Sequence, residues 1–324
     1  MRTHQTFAIV HANDIDGIGS AALIRIATGI QTGNIFFYNY SEESLDYITT
    51  SIISLAKPGC SIILADMSPN DSKLEKFVSF IRDAKRIGCS LVWLDHHQWS
   101  DAAISAIAAK CDMAIVGENK QNCAADIVAR EFHLSDQISS TIREIAHVSD
   151  FKLKAYGKTK LAVEYYSLAI TYYNMLPRAR EYAKLRAAVE SICNGKIPAK
   201  EVISDARAFK KLNASRIRRM LSHLLTFGDV AVGFSEPVVA NDACDAILRK
   251  SGKKVAVYVN TKTGKVHLRS QSVDTVPIAA AAGGGGHPFA SGFNINIDNY
   301  GHFMKDSQKS AFVKRLKGYF ARLP

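Results

Sequence analysis

Five short apolar runs rich in β-branched residues recur through the first 117 residues of this 324-residue chain, and the gaps between them are helix-sized. They are TFAIVH (6–11), NIFFYNY (34–40), SIILADM (61–67), SLVWLDHH (90–97) and DMAIVG (112–117), with helix-like segments at 18–29, 42–55, 71–87 and 100–109. Near-continuous apolar strands belong to sheets buried on both faces. Their alternation with amphipathic helices predicts a doubly wound, parallel five-stranded sheet. SPNDSKLEKF offers a helix start, with Ser68 as N-cap and Pro69 at the first helical position. Residues 121–193 read as helical, CNGKIP (193–198) as a break, and 199–226 as a Lys- and Arg-rich helix. Strand character returns in DVAVGFS (229–235), in the hairpin KVAVYVNTKTGKVHLRS (254–270) and in FNINI (293–297), before a basic helix at 306–322. The expected architecture is α/β. A sheet domain spans 1–195, a helical linker 196–226, and a smaller mixed-sheet α/β domain 227–324.

Composition narrows the function classes. Apolar residues make up 47% and charged residues 22%, an ordinary globular balance. No apolar run approaches the roughly 20 residues of a membrane-spanning helix, and the apolar stretch near the start is too short for a signal peptide. The six cysteines are scattered without a CxxC pair, which argues against a zinc site or disulfide framework and suits a cytoplasmic location. The formal net charge of +11 favours polyanionic partners, nucleic acid first among them.

The strand ends carry groups that resist burial. His11, Asp14 and Asp16 follow the first run, Asp66 ends the third, and Asp95, His96 and His97 end the fourth. In an open parallel sheet the carboxyl ends of the strands face one crevice, so these acids would converge and repel. Divalent cations resolve the repulsion, and oxygen plus imidazole ligands suit Mn²⁺, Mg²⁺ or iron. No Ser-His-Asp or Cys-His arrangement stands out. GKT at 157–159 lacks the upstream glycine of a phosphate-binding loop, and the four glycines at 283–286 stand in the wrong context for a dinucleotide fingerprint.

HANDIDGIGSAA, LADMSPN, WLDHHQ and HVSD, in that order, resemble the motifs of the DHH phosphoesterase superfamily, and GGGGHPFASG (283–292) resembles the signature of its DHH-associated C-terminal domain. The resemblance spans nearly the whole chain and implies two metals, usually Mn²⁺, with Mg²⁺ or another divalent ion as substitutes. It implies one cation on His11, Asp14 and Asp66 and another on Asp16, Asp66, His96 and Asp150, with Asp66 bridging. Asp95 would orient the histidine beside it, and His97 would face the substrate phosphate. His11 lies three residues before Asp14, where family members commonly leave two or four, so Asn13 is a competing donor; His147 competes with Asp150. Arg269, Ser270, Gly284, Gly285, Gly286 and His287 would contact the substrate's terminal nucleotide or phosphate, while Phe289 is either a stacking surface or core.

Two such cations activate water for in-line attack on phosphorus. The first reading is a metal-dependent phosphodiesterase that degrades short single-stranded RNA or DNA, or linear dinucleotides, to mononucleotides. Alternatives are a 3′-phosphoadenosine 5′-phosphate phosphatase or cyclic-dinucleotide phosphodiesterase, a RecJ-like single-strand exonuclease, and a non-catalytic binding subunit. No membrane is implied, and a homodimer is allowed. The six basic residues of RAFKKLNASRIRRM (207–220) form either a solvated helix face or a track for a single strand, with Arg216, Arg218 and Arg219 at its centre.

Overall fold

A computed structural model describes residues 5–69, 71–117, 121–295 and 306–320. The chain divides into two compact units, 1–207 and 208–324. In the first, β1 (Thr6–His11), β2 (Ile35–Tyr38), β3 (Ser61–Ala65), β4 (Ser90–Asp95) and β5 (Met113–Val116) form one parallel sheet in the order β2-β1-β3-β4-β5. Phe7–Val10 and Ile62–Ala65 are buried, as strands covered on both faces require. The connecting helices are α1 (Ile15–Thr28), α2 (Glu42–Leu55), α3 (Leu74–Ile87) and α4 (Asp101–Ile107). Right-handed crossovers place α1 on one face and α2, α3 and α4 on the other.

Four helices follow: α5 (Ala124–Glu131), α6 (Gln137–Asp150), α7 (Gly157–Tyr173) and α8 (Arg178–Cys193). α1 packs against α5, α6 and α8 as well as the sheet. Every residue from Ile15 to Ile24 is therefore buried, and α1 needs no polar face. The helix α9 (Lys200–Leu221) runs from the first unit into the second.

The second unit holds β6 (Leu225–Phe227), β7 (Val230–Ser235), α10 (Ala240–Ser251), β8 (Val255–Asn260), β9 (Lys265–Ser270), α11 (Val276–Ala281), β10 (Gly285–His287), β11 (Ala290–Asn294) and α12 (Asp306–Phe320). Its sheet runs β10-β11-β9-β8-β7-β6, with β7 and β8 parallel and the other neighbours antiparallel. The fold is the expected pairing of a five-stranded parallel sheet with a separate mixed sheet.

Several local expectations need correction. Ser68 is not the N-cap of α3, which starts at Leu74 after a single 3₁₀ turn, with Lys73 at its N-cap. The backbone N–H of Ser68 donates to the Tyr40 hydroxyl instead. The basic helix ends at Leu221, and 225–227 is a strand. Part of the glycine run is strand β10, hydrogen-bonded to β11. Residues 296 and 297 of FNINI, and 321 and 322 of the last helix, lie outside the described residues. Cys60 and Cys89 form a disulfide, against the expectation of none. They immediately precede β3 and β4, and pairing of those strands juxtaposes positions 29 residues apart in sequence. Spacing rules see only near neighbours.

Glu181, in the first turn of α8, is buried. Burial pushes its carboxyl up to about 7, with the Arg178 charge opposing. A carboxyl raised in the folded state stabilises the fold least when ionised, so stability is lost as pH rises from the unfolded value near 4.5 through about 7. Glu181→Gln should gain on the wild type across that window, by up to about 3 kcal/mol at pH 8. Urea unfolding of both proteins at pH 5 and pH 8 checks this: a constant gap would refute it.

Candidate metal centre

The sheet order reverses between β1 and β3, and ligands bind at such a switch beyond the carboxyl ends of the strands. β1 ends at His11. Asp14 follows as the N-cap of α1, its carboxylate accepting the Gly17 N–H at 3.0 Å. A Cβ at Gly17 would stand 2.1 Å from the His11 carbonyl oxygen, so only glycine lets β1 turn this sharply into α1. Asp16 lies in the first turn of α1, 1% exposed. Its two oxygens accept the Ala124 and Ala125 N–H groups at 2.7 and 2.8 Å, where α5 presents its unpaired amides.

Asp66 follows β3 with φ 57°, a left-handed conformation that Asp tolerates better than most residues. It is buried between two sets of groups. Its Oδ2 lies 3.5 Å from His11 Nδ1, which is also 2.8 Å from Asp14 Oδ2. Its Oδ1 lies 3.5 Å from His96 Nε2, which is 3.8 Å from Asp16 Oδ2. His96 Nδ1 is in turn 3.8 Å from Asp150 Oδ2, at the end of α6. The donor atoms of His11, Asp14 and Asp66 all lie within 4.8 Å of one another, as do those of Asp16, His96 and Asp150. Asn13, the competing donor, is exposed. His147, the other competitor, turns its Nδ1 to Asp126 at 2.6 Å.

These residues fit a pair of divalent cations. Among the described residues no well-aligned hydrogen bond reaches His11 Nδ1, Asp66 Oδ2 or His96 Nε2, all buried and close only to one another and to carboxylates, and buried polar atoms are rarely left so. The electrostatics agree. Burial, then the Asp14 charge, pushes the Asp66 carboxyl up to about 8. Burial with the Asp66 and Asp14 charges holds Asp16 well above its ordinary value. Burial works against the charged form of His11, but Asp14 and Asp66 outweigh it and raise the imidazole to about 10. Protons thus sit where cations would neutralise the same charges.

Asp95 is fully buried at the end of β4. It holds His97 Nδ1 at 2.7 Å and accepts the Trp99 indole N–H at 2.7 Å. The histidine it orients is His97, not His96. Asp95 is the main cause of a His97 imidazole raised to about 9. Asp95→Asn should drop the His97 pKa toward its ordinary range and cost about 10–100-fold in activity. An NMR titration of His97 alongside the rate reads both, and an unmoved imidazole would refute the pairing.

In the second unit, Arg269 and His267 line a cavity of about 330 Å³ with Asn241, Gly283, Gly284 and Gly285. Arg269 donates to the Asn241 side chain. Ser270 is engaged in a turn, its Oγ accepting the Ser272 and Val273 N–H groups. A Cβ at Gly284 would stand 2.1 Å from the Gly292 carbonyl, and one at Gly286 would stand 2.6 Å from that of Ala290. Much of the glycine run therefore serves close strand packing, while Gly285 faces open space. His287 is exposed, and Phe289, 52% exposed, is not core. Arg216 is engaged by Glu236 and the Pro237 carbonyl; Arg218 and Arg219 are exposed.

Sequence reasoning missed the α5 amides that hold Asp16, the Asp126–His147 pair, and Tyr40, whose ring meets His11 edge-on at 5.1 Å. A cysteine and an acid three apart, in NCAAD, were the available signal of a capped helix start there.

Residues 229–321 match the DHHA1 domain. The manganese-bound exonuclease RecJ superposes with a TM-score of 0.58 at 14% identity, over 99% of this chain and 91% of that one. The family match lies within the second unit, and at 14% identity the likeness over the whole chain is one of fold. Other solved structures of like fold are the Mn²⁺ complex of RecJ from Thermus thermophilus and PggH, a pGpG-specific phosphodiesterase from Vibrio cholerae. The first has a TM-score of 0.53 at 15% identity, over 99% of this chain but only 52% of that one. The second has a TM-score of 0.51 at 12% identity, over 97% and 99%. No curated protein sequence matches significantly. No helix among the described residues is long and apolar enough to cross a membrane.

Proposed function

We propose that the chain is a divalent-metal-dependent phosphodiesterase that hydrolyses short single-stranded oligonucleotides or linear dinucleotides to mononucleotides. The observation that carries the reading is Asp66, whose two oxygens face two separate sets of donors, with buried atoms of His11 and His96 that no well-aligned hydrogen bond reaches among the described residues. His11, Asp14 and Asp66 would hold one ion, and Asp16, Asp66, His96 and Asp150 the other, with Mn²⁺ the first candidate. When bound, such a pair supplies Lewis-acid activation of water and neutralises charge on the phosphoryl oxygens.

The chain's own groups supply the rest. His97, charged at neutral pH and fixed at Nδ1 by Asp95, offers Nε2–H to a phosphoryl oxygen. Arg269 presents a planar fork suited to a phosphate, and Gly285 lines the same cavity. Asp16, held by the α5 amides, cannot swing away as charge shifts during the reaction. In this reading residues 1–195 carry the chemistry, 196–226 link, and 227–324 recognise substrate.

The test is incubation with Mn²⁺, and separately with chelator, of labelled RNA and DNA of two to twenty residues, cyclic dinucleotides and 3′-phosphoadenosine 5′-phosphate. Mononucleotide release from the shortest linear substrates, lost in chelator, is the expected result. Preferred hydrolysis of the bisphosphate or a cyclic dinucleotide would replace the substrate assignment. Absence of any hydrolysis with intact Mn²⁺ binding would make the chain a binding subunit.

A further inference from the structure

Directly after Asp150, the chain FKLKAYGKTKLA (151–162) joins α6 to α7 and enters α7. Tyr156 is 67% exposed, the most exposed large apolar side chain among the described residues. Lys152, Lys154, Lys158 and Lys160 surround it in sequence, all exposed, and none has an acidic partner among the described residues. Lys154 Nζ lies 5.3 Å from the Tyr156 ring centroid.

Local structure gives no reason for this arrangement. Lys158 and Lys160 sit in the first turn of α7, which contains no acid, and cations are disfavoured at that end of a helix. The nearby acid Glu144 is engaged by the Thr159 hydroxyl at 2.7 Å. An exposed ring beside unpaired cations is the combination that binds single-stranded nucleic acid, with bases stacking on the aromatic face and cations lying along the backbone. Six residues of chain reach at most about 20 Å, so Tyr156 lies within that distance of Asp150.

We propose that residues 152–160 form a platform for a single strand entering the centre from its Asp150 side: a base stacks on Tyr156, and the four lysines neutralise the flanking phosphates. The proposal rests on the phosphodiesterase reading and extends it to substrates longer than a dinucleotide. A protein or anionic-lipid partner would use the same cations but has no need of a carboxylate-rich centre beside them.

The test is binding of a fluorescent six-nucleotide deoxyadenylate to the full chain in chelator, where hydrolysis cannot intervene. Tyr156→Ala should weaken binding by between about 5- and 100-fold, and Tyr156→Phe should retain it. Replacing Lys152 and Lys154 with Ala should lower the slope of log affinity against log salt by about 1.4. In Mn²⁺, Tyr156→Ala should raise KM for the same oligonucleotide and leave kcat in place. Unaltered affinity in Tyr156→Ala, equal loss in Tyr156→Phe, or no binding by the wild type would overturn the platform. So would oligonucleotide binding that persists in Tyr156→Ala while binding to anionic phospholipid vesicles is lost. Because the binding arm needs no turnover, a wild type that binds but cleaves nothing would sink the phosphodiesterase reading and spare the platform.

Discussion

Asp66→Asn should reduce hydrolysis on the order of 10³-fold, since losing the shared ligand removes several kcal/mol of charge stabilisation. Asn is the informative replacement. It keeps the shape of a protonated carboxyl and tolerates the left-handed backbone at φ 57°, whereas Ala would add about 1–2 kcal/mol of backbone strain. The stability effect should change sign with the metal. Without metal, the carboxyl titrates near 8 rather than 3.8, so wild-type stability is lost as pH rises through that interval and the Asn variant escapes the loss. With Mn²⁺ at about 100 times Kd, the wild type gains about 2.7 kcal/mol, and the variant should gain much less. Thermal unfolding at pH 8 with chelator and with Mn²⁺ should therefore show the two proteins exchanging order. A variant that hydrolyses normally, or a wild type whose melting ignores Mn²⁺, would remove the basis of the metal assignment.

Gly17→Ala should be nearly as damaging, from a single methyl group. The new Cβ would meet the His11 carbonyl oxygen at 2.1 Å and His11 Cβ at 2.9 Å. Backbone cannot yield as a side-chain tip does, so either the end of β1 or the start of α1 must move. Overpacking of this kind costs about 1–3 kcal/mol. The larger consequence is functional: Gly17 N–H holds the Asp14 carboxylate, so a shift displaces both His11 and Asp14, and a misplacement near 1 Å costs about 100-fold in rate. Gly33→Ala, with no atom within 4 Å of its Cβ position, is the control. Calorimetric Mn²⁺ titration of the two variants distinguishes them, and equal affinities would refute the argument.

The parallel sheet was legible because its strands are buried on both faces, so apolar runs mark them with little ambiguity. The centre was legible for a related reason: apart from Asp150, which ends α6, its acids lie at or just beyond the ends of strands, and a parallel sheet aligns those ends. His11 illustrates the limit of spacing arguments. Three residues before Asp14 it looked misplaced, yet the turn at Gly17 brings its Nδ1 to 2.8 Å from Asp14. What sequence could not convey depends on distant contacts. The amides of residues 124 and 125 reach Asp16 across more than a hundred positions, and Cys60 meets Cys89 only through strand pairing. Glycines 284 and 286 read as an anion-binding loop because a sequence does not display the strand they pack against. Ser68 does not cap α3 because that helix begins at Leu74, five residues beyond Pro69.

The mooring of Asp16 orders events during biosynthesis. Until residues 124 and 125 have emerged and docked, the carboxylate at position 16 lacks the amides that fix its direction, and Asp150 arrives later still. An ion held by that half of the centre would therefore have to wait until α5 and α6 are seated, so its binding would follow their docking and could not seed it.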